Sequence, residues 1–188
     1  MTGANTAIFF FLRKRRYLKR IAVLHDSLGI PRDYAATRLI PVQMEAGGLV
    51  SVGPDIYQRE QRLLPTAATA WQAMKESASA QGVDLQMVSA YRSVKYQEGI
   101  LRRKLEKGQA IEDILQVSAA PGYSEHHTGR AVDITTPGCR VLEEEFESSE
   151  AFSWLTESAG GFGFRMSFPR DNPHRVAYEP WHWAWQKQ

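Results

Sequence analysis

A single cysteine, Cys139, in a chain of 188 residues excludes an intramolecular disulfide framework and any cluster of thiolates. A metal centre in this protein must therefore be built from His, Asp and Glu. Long apolar runs are missing as well. The stretch "AIFFFL" near the N-terminus falls far short of the ~20 residues that cross a bilayer. A secretory signal places positive charge ahead of a longer apolar run and ends on small residues. Here the basic block "RKRR" follows the apolar run, so the expectation is a cytoplasmic protein with no transmembrane segment. Export by another route, such as a phage holin or host lysis, stays open. Strong charge is absent too: a net +2 is too slight to argue for a nucleic-acid partner. There is no internal repeat and no low-complexity linker. What remains is 43% apolar and 23% charged residues, the balance of an ordinary globular domain with a real core and at most an appendage.

Hydrophobic periodicity predicts mixed helices and strands. Residues 6–28 read as a helix, with Tyr17, Ile21, Leu24 and Leu28 at three-to-four spacing and a stop at Gly29-Ile30-Pro31. Residues 31–64 read as irregular, with a short strand or hairpin around "GGLVSVG". "TAATAWQAMKESASAQG" is a helix with Thr66 as N-cap, an apolar face of Ala67, Ala70, Trp71, Met74 and Ala78, and a stop at Gly82. "VDLQMVSAYR" alternates as a strand does. A helix from Ser93 to Gly108 and a shorter one in "AIEDILQVSA" follow. "GRAVDIT" is a strand, "SSEAFSWLTESAGGFGF" a helix ending at Gly160-Gly161, and "EPWHWAW" a last strand. Helices and strands do not alternate strictly, so the fold class is α+β rather than a doubly wound sheet.

Three of the five histidines fall in two short stretches, "SEHHTGRAVDI" (124–134) and "YEPWHWAW" (178–185), each with acids beside them. His126 precedes the strand that carries Asp133, and Gly129 permits a sharp turn between them. Glu179 and His182 are three apart and would face opposite sides of a regular strand, but Pro180 can redirect the backbone there. Two histidines and a carboxylate make a standard catalytic zinc set, with water in the fourth position at a pKa near 7. A carboxylate beside that water is then the general base, a role that Glu179 fits. The competing reading, by spacing alone, is that each histidine is a packed or solvated side chain.

The string S-x-H-x-x-G-x-A-x-D is matched by Ser124, His126, Gly129, Ala131 and Asp133, and E-x-W-H by Glu179, Trp181 and His182. With "SAYRS" upstream, these motifs resemble the VanY-type D-alanyl-D-alanine carboxypeptidases, zinc peptidases related to the VanX dipeptidases and, by fold, to the hedgehog domain. The resemblance covers about residues 60–188. It implies a domain at 61–188 whose antiparallel sheet carries the metal, preceded by an N-terminal helix and irregular extension at 1–60. It also implies zinc held by His126, Asp133 and His182, with Glu179 as catalytic base. Ala90 stands where glycine is more usual, and His127 where glutamine is common. His127 competes with His126 as the ligand, and the motif spacing favours His126.

A carboxypeptidase must read a free terminal carboxylate, and arginine's planar fork does so well. Arg92 is the candidate, with a second role beside the oxyanion. Gln97 and Ser124 are candidate substrate donors, and the competing readings are an exposed helix residue for Gln97 and a surface charge for Arg92. Trp181 and Trp183 are expected to pack around the ligand strand, and His25 and His174 to lie on the surface. Arg13, Lys14, Arg15 and Arg16, with Lys19 and Arg20, form a solvated helix face or a weak contact for anionic membrane. The implied partner is a peptidoglycan-derived peptide. Cytoplasmic placement favours L,D-carboxypeptidase action on tetrapeptides from wall turnover, since cutting D-Ala-D-Ala precursors there would damage synthesis. The alternatives are D,D-carboxypeptidase action, a phage-type endopeptidase, or a non-catalytic zinc-binding module, against which the presence of Glu179 counts.

Overall fold

The computed structural model describes residues 3–186. The chain opens with helix α1 (Gly3–Leu28) and a short α2 (Tyr34–Arg38), followed by a hairpin of β1 (Val50–Pro54) and β2 (Glu60–Leu63). Next come α3 (Pro65–Ala80), β3 (Gln86–Ser89), α4 (Val94–Glu106) and α5 (Ile111–Val117). A 3-10 turn at Glu125–Thr128 leads into β4 (Ala131–Thr135). After a second 3-10 turn come α6 (Glu150–Ser158), β5 (Phe164–Met166) and β6 (His182–Trp185). Strands β3, β4, β6 and β5, in that order, form an antiparallel sheet. The fold is therefore α+β with an antiparallel sheet, as the sequence implies.

All five residues of β4 are buried, because helices cover one face and the functional cleft the other. The main core joins Val132 and Ile134 of β4 to Trp71 and Met74 of α3, Trp154 and Leu155 of α6, and Phe164. Burying side chains of this size contributes roughly 1.5–3 kcal/mol each. The α3 face is the expected one: Ala67, Trp71, Met74 and Ala78 are buried. Tyr17, Ile21 and Leu28 of α1 are buried as well, and Leu28 joins Leu101, Ile114 and Leu115 in a second cluster that seats α4 and α5. The basic residues Arg13 to Arg16 are exposed. Among the described residues no helix is long and apolar enough to cross a membrane.

The structure differs from the sequence reading at several points. Helix α3 starts two residues early, with Leu64 as N-cap and Pro65 in the first turn, so Thr66 does not cap it. Proline suits that position because its missing N–H would have no helical partner. Strand β2 lies in a segment with no clear alternation, and the three-residue β5 is too short to show any. Helix α6 ends at Ser158, and the glycine pair sits in a following 3-10 turn that Gly163 closes at φ 82°. His25 and His174 are half-buried rather than on the surface. His25 pairs with the Pro121 carbonyl at 2.8 Å and His174 with that of Arg38 at 3.3 Å.

Candidate active site

Register brings the first two site residues together. Strands β4 and β6 pair so that Asp133 lies directly opposite His182, and directly opposed side chains on neighbouring strands are within reach of one another. His126 comes from the turn before β4. That turn needs Gly129, whose φ is +65°, and a Cβ there would lie 2.5 Å from the Leu49 side chain and 3.2 Å from the Leu64 nitrogen. The Leu64 N–H in turn donates to the Gly129 carbonyl at 2.8 Å, which ties the turn to the start of α3. One nitrogen of each histidine and one Asp133 oxygen converge, all within 4.8 Å of one another, and all three residues are buried.

Hydrogen bonds fix which nitrogen each ring presents. His126 Nδ1 lies 2.5 Å from the Ala90 carbonyl. A carbonyl only accepts, so Nδ1 carries the proton and the Nε2 lone pair, 3.2 Å from Asp133 Oδ1, is free to ligate. His182 is oriented the other way round. Its Nε2 lies 2.9 Å from Glu125 Oε2 and its Nδ1 2.9 Å from Asp133 Oδ1, so Nδ1 is the ligand atom. His127 is fully occupied elsewhere: Nδ1–H donates to the Arg92 carbonyl at 2.6 Å, and Nε2 accepts from the Gly122 N–H at 3.0 Å. It therefore anchors the loop and offers the centre nothing.

The electrostatics favour a cation. Burial works against a charged His182 ring, but its hydrogen bonds to Asp133 and Glu125 prevail and raise its pKa to about 10. Burial, with Arg92 nearby, pushes His126 down to about 4, leaving it neutral as a ligand must be. Asp133 stays ionised: burial opposes its charge, and His126, His182 and Arg92 together outweigh it. This buried, convergent set of two imidazoles and one carboxylate fits a single zinc ion with an open coordination position, once His182 gives up its Nδ1 proton.

Glu179 reaches the same centre through a turn. The His182 N–H donates to the Glu179 carbonyl at 3.1 Å, with Pro180 in the second position of the turn, where its fixed φ is favoured. Three-residue spacing thus places Glu179 Oε2 4.0 Å from His182 Nδ1, beside the triad and outside it. Burial raises its pKa to about 7, the range in which a carboxyl can both take and return a proton near neutrality.

Arg92 is held by its backbone on both sides: its N–H donates to the His126 carbonyl at 3.2 Å, and its own carbonyl accepts from His127. Its Nη2 lies 3.8 Å from Asp133 Oδ2, too far for a hydrogen bond, and its buried Nε has no partner among the described residues. The guanidinium is therefore poised for a further acceptor. Arg92, Gln97, Ser124, Glu179 and the triad all line one cavity of about 310 Å³. Gln97 is not the exposed residue of the competing reading but 2% exposed. Its Nε2 already donates to the Ala119 carbonyl at 2.8 Å, leaving Oε1 unpartnered. It is placed as an acceptor rather than the expected donor. Trp183 is buried, and Trp181 is half-buried on the cavity wall.

The residue that sequence reasoning missed is Glu125. Burial opposes its charge, but the hydrogen bond and charge of His182, with His126 nearby, together outweigh burial and lower its pKa, so it accepts the Nε2 proton as a carboxylate. Partners of this kind orient a ligand, and their removal weakens metal binding ~10–100-fold. Glu125→Ala is therefore expected to weaken zinc affinity by that factor in a competition titration with a chelator, and an unchanged affinity would show that the sheet alone orients His182.

An antiparallel sheet carrying Asp133 and His182, with His126 supplied by the turn that enters it and a carboxylate poised beside them, defines a candidate mononuclear zinc-peptidase centre. Residues 60–188 match the model of the VanY D-alanyl-D-alanine carboxypeptidase family, and the chain belongs to that family. It is 28% identical to YodJ of Bacillus subtilis (strain 168) over 166 residues, covering 86% of this chain and 58% of that protein. It is 32% identical over 124 residues to the D-alanyl-D-alanine carboxypeptidase of Enterococcus faecalis (strain ATCC 700802 / V583), covering 61% and 44%. The chain thus spans about half the length of these relatives. Among solved structures it resembles the LdcB LD-carboxypeptidase, with TM-score 0.68, 29% identity and coverage of 77% and 71%. It also resembles a mutant of the D,D-pentapeptidase VanY solved with Zn(II), with TM-score 0.55, 26% identity and coverage of 80% of each chain.

Proposed function

We propose that this protein is a zinc carboxypeptidase that removes the C-terminal D-alanine from peptidoglycan stem peptides, acting as an L,D-carboxypeptidase on tetrapeptides in the cytoplasm. The observation that carries the reading is the placement of Glu179 beside the His126–Asp133–His182 triad in one cavity with Arg92. Zinc, held by His126 Nε2, an Asp133 oxygen and His182 Nδ1, would supply a Lewis acid and lower the pKa of the attacking water. Glu179 takes a proton from that water and delivers it to the leaving D-alanine nitrogen. Arg92 pairs with the substrate's terminal carboxylate through its free N–H groups, and its charge also lies close enough to the triad to help stabilise the oxyanion. Ser124, which lines the cavity beside the His126 turn, bonds the peptide backbone in this reading. The likeness to LdcB supports the L,D preference, and the likeness to the VanY pentapeptidase supports the D,D alternative.

Competition between a tetrapeptide and a pentapeptide muropeptide at equal concentration tests the preference. Faster D-alanine release from the tetrapeptide is expected. Faster release from the pentapeptide would replace the L,D assignment by the D,D one.

A further inference from the structure

The cavity holds a second cation that the chemistry above does not use. Lys104 lies on α4, seven residues beyond Gln97, or about 10 Å of axial rise, and its side chain lines the same cavity. It shares a helix face with Gln97 and with Leu101, which is wholly buried. Its Nζ is tied to the wall by one neutral partner, Ser118 Oγ, at 2.9 Å. Among the described residues no carboxylate pairs with Nζ: Asp133 and Glu125 are bonded to His182, and Glu179, which acts on Lys104 only through its charge, lies 4.0 Å from the same ring. The same cavity wall includes Val117, the last residue of α5, and Ser118 and Ala119 that follow it. Burial, reinforced by Arg92, lowers the lysine's pKa against the smaller opposing pull of Glu179, as expected of a half-buried ammonium with no carboxylate hydrogen-bonded to it. Such a charge carries a desolvation penalty that an incoming anion would offset.

We propose that Lys104 forms an anion subsite that binds a carboxylate on the side chain of the residue preceding the scissile bond, as a diamino dicarboxylic acid bears. This rests on the stem-peptide reading above and specifies its substrate class. Reach separates the two carboxylates such a peptide can offer. The terminal carboxylate of the leaving alanine lies three covalent bonds from the scissile carbonyl carbon. The side-chain carboxylate of a seven-carbon diamino acid lies six C–C bonds of ~1.5 Å away. Arg92, next to Asp133, matches the shorter reach, and Lys104, two helical turns past Gln97, the longer. The subsite therefore selects stems with a free side-chain carboxylate over stems with lysine or an amidated diamino acid at that position.

The test uses the zinc-loaded full chain and two readouts. Calorimetry with product tripeptides, which needs no turnover, compares a terminal diamino dicarboxylic acid with its side-chain amide. The free acid is expected to bind about 10- to 100-fold more tightly, the range of one charge-assisted hydrogen bond. In Lys104→Met that ratio should fall to near one, and in Lys104→Glu it should invert. Equal binding by the unaltered protein, or an unchanged ratio in both variants, would overturn the subsite. The second readout is kcat/KM for a tetrapeptide and its C-terminal amide. Loss of that discrimination in Lys104→Met, with the side-chain ratio unchanged, would reassign Lys104 to the terminal carboxylate and overturn the proposal. If no peptide is turned over while the calorimetric ratio holds, the proposed reaction fails and the subsite stands.

Discussion

Glu179→Ala should retain its metal and lose activity by on the order of 100-fold or more, the usual contribution of positioned acid–base chemistry. Both halves of the expectation follow from geometry. Glu179 stands outside the converging atoms of His126, Asp133 and His182, so its removal leaves the donor set complete. It also sits where a proton must be moved, 4.0 Å from the ligating nitrogen of His182, with a pKa raised by burial to about 7. No other carboxylate of the cavity can replace it. Asp133 is held well below its usual range, accepts from His182 and faces His126 Nε2, and Glu125 is committed to His182. Single-turnover assays with parallel elemental analysis would show the split. Turnover like that of the unaltered protein would remove Glu179 from the mechanism, and loss of metal along with activity would make it a ligand.

His182→Ala should produce the opposite pattern, losing metal first and activity as a consequence. The imidazole bridges two carboxylates, at 2.9 Å from each, and supplies one of the three converging atoms. Its loss leaves Asp133, with a side chain only 4% exposed, facing Glu125 with nothing between them. Breaking a buried charged pair by deleting one member costs about 3–5 kcal/mol. Metal content should fall from about one per chain, the stoichiometry of a mononuclear site, to near zero, with a lowered unfolding midpoint. Full metal content in this variant would contradict the ligand assignment.

The parts of this site that were legible in the sequence are those whose geometry is local or fixed by strand alternation. His126, Gly129 and Asp133 lie within eight residues, and their turn and strand can be read from residue type. The opposition of Asp133 and His182 depends on register, which "AVDIT" and "HWAW" constrain because a one-residue slip would exchange the core-facing and cleft-facing side chains of a strand buried on both faces. Glu125 was not legible. Its partner His182 is 57 positions away, and its role depends on which nitrogen of that ring faces the metal position, a matter of ring orientation rather than residue type. The orientation of the Gln97 amide was not legible for a related reason. Helical periodicity places Gln97 on a face but cannot show that the segment around Ala119 folds over that face and takes its amide N–H. The start of α3 turned on two neighbouring signals, Pro65 and Thr66, and the backbone used the proline.

The most direct test of the central claim is mass spectrometry of defined tetra- and pentapeptide muropeptides incubated with the zinc-loaded protein, before and after chelation. The account predicts loss of a single C-terminal alanine, abolished by the chelator and restored by zinc. Intact peptides under all conditions, or cleavage at an internal bond of the stem, would contradict it.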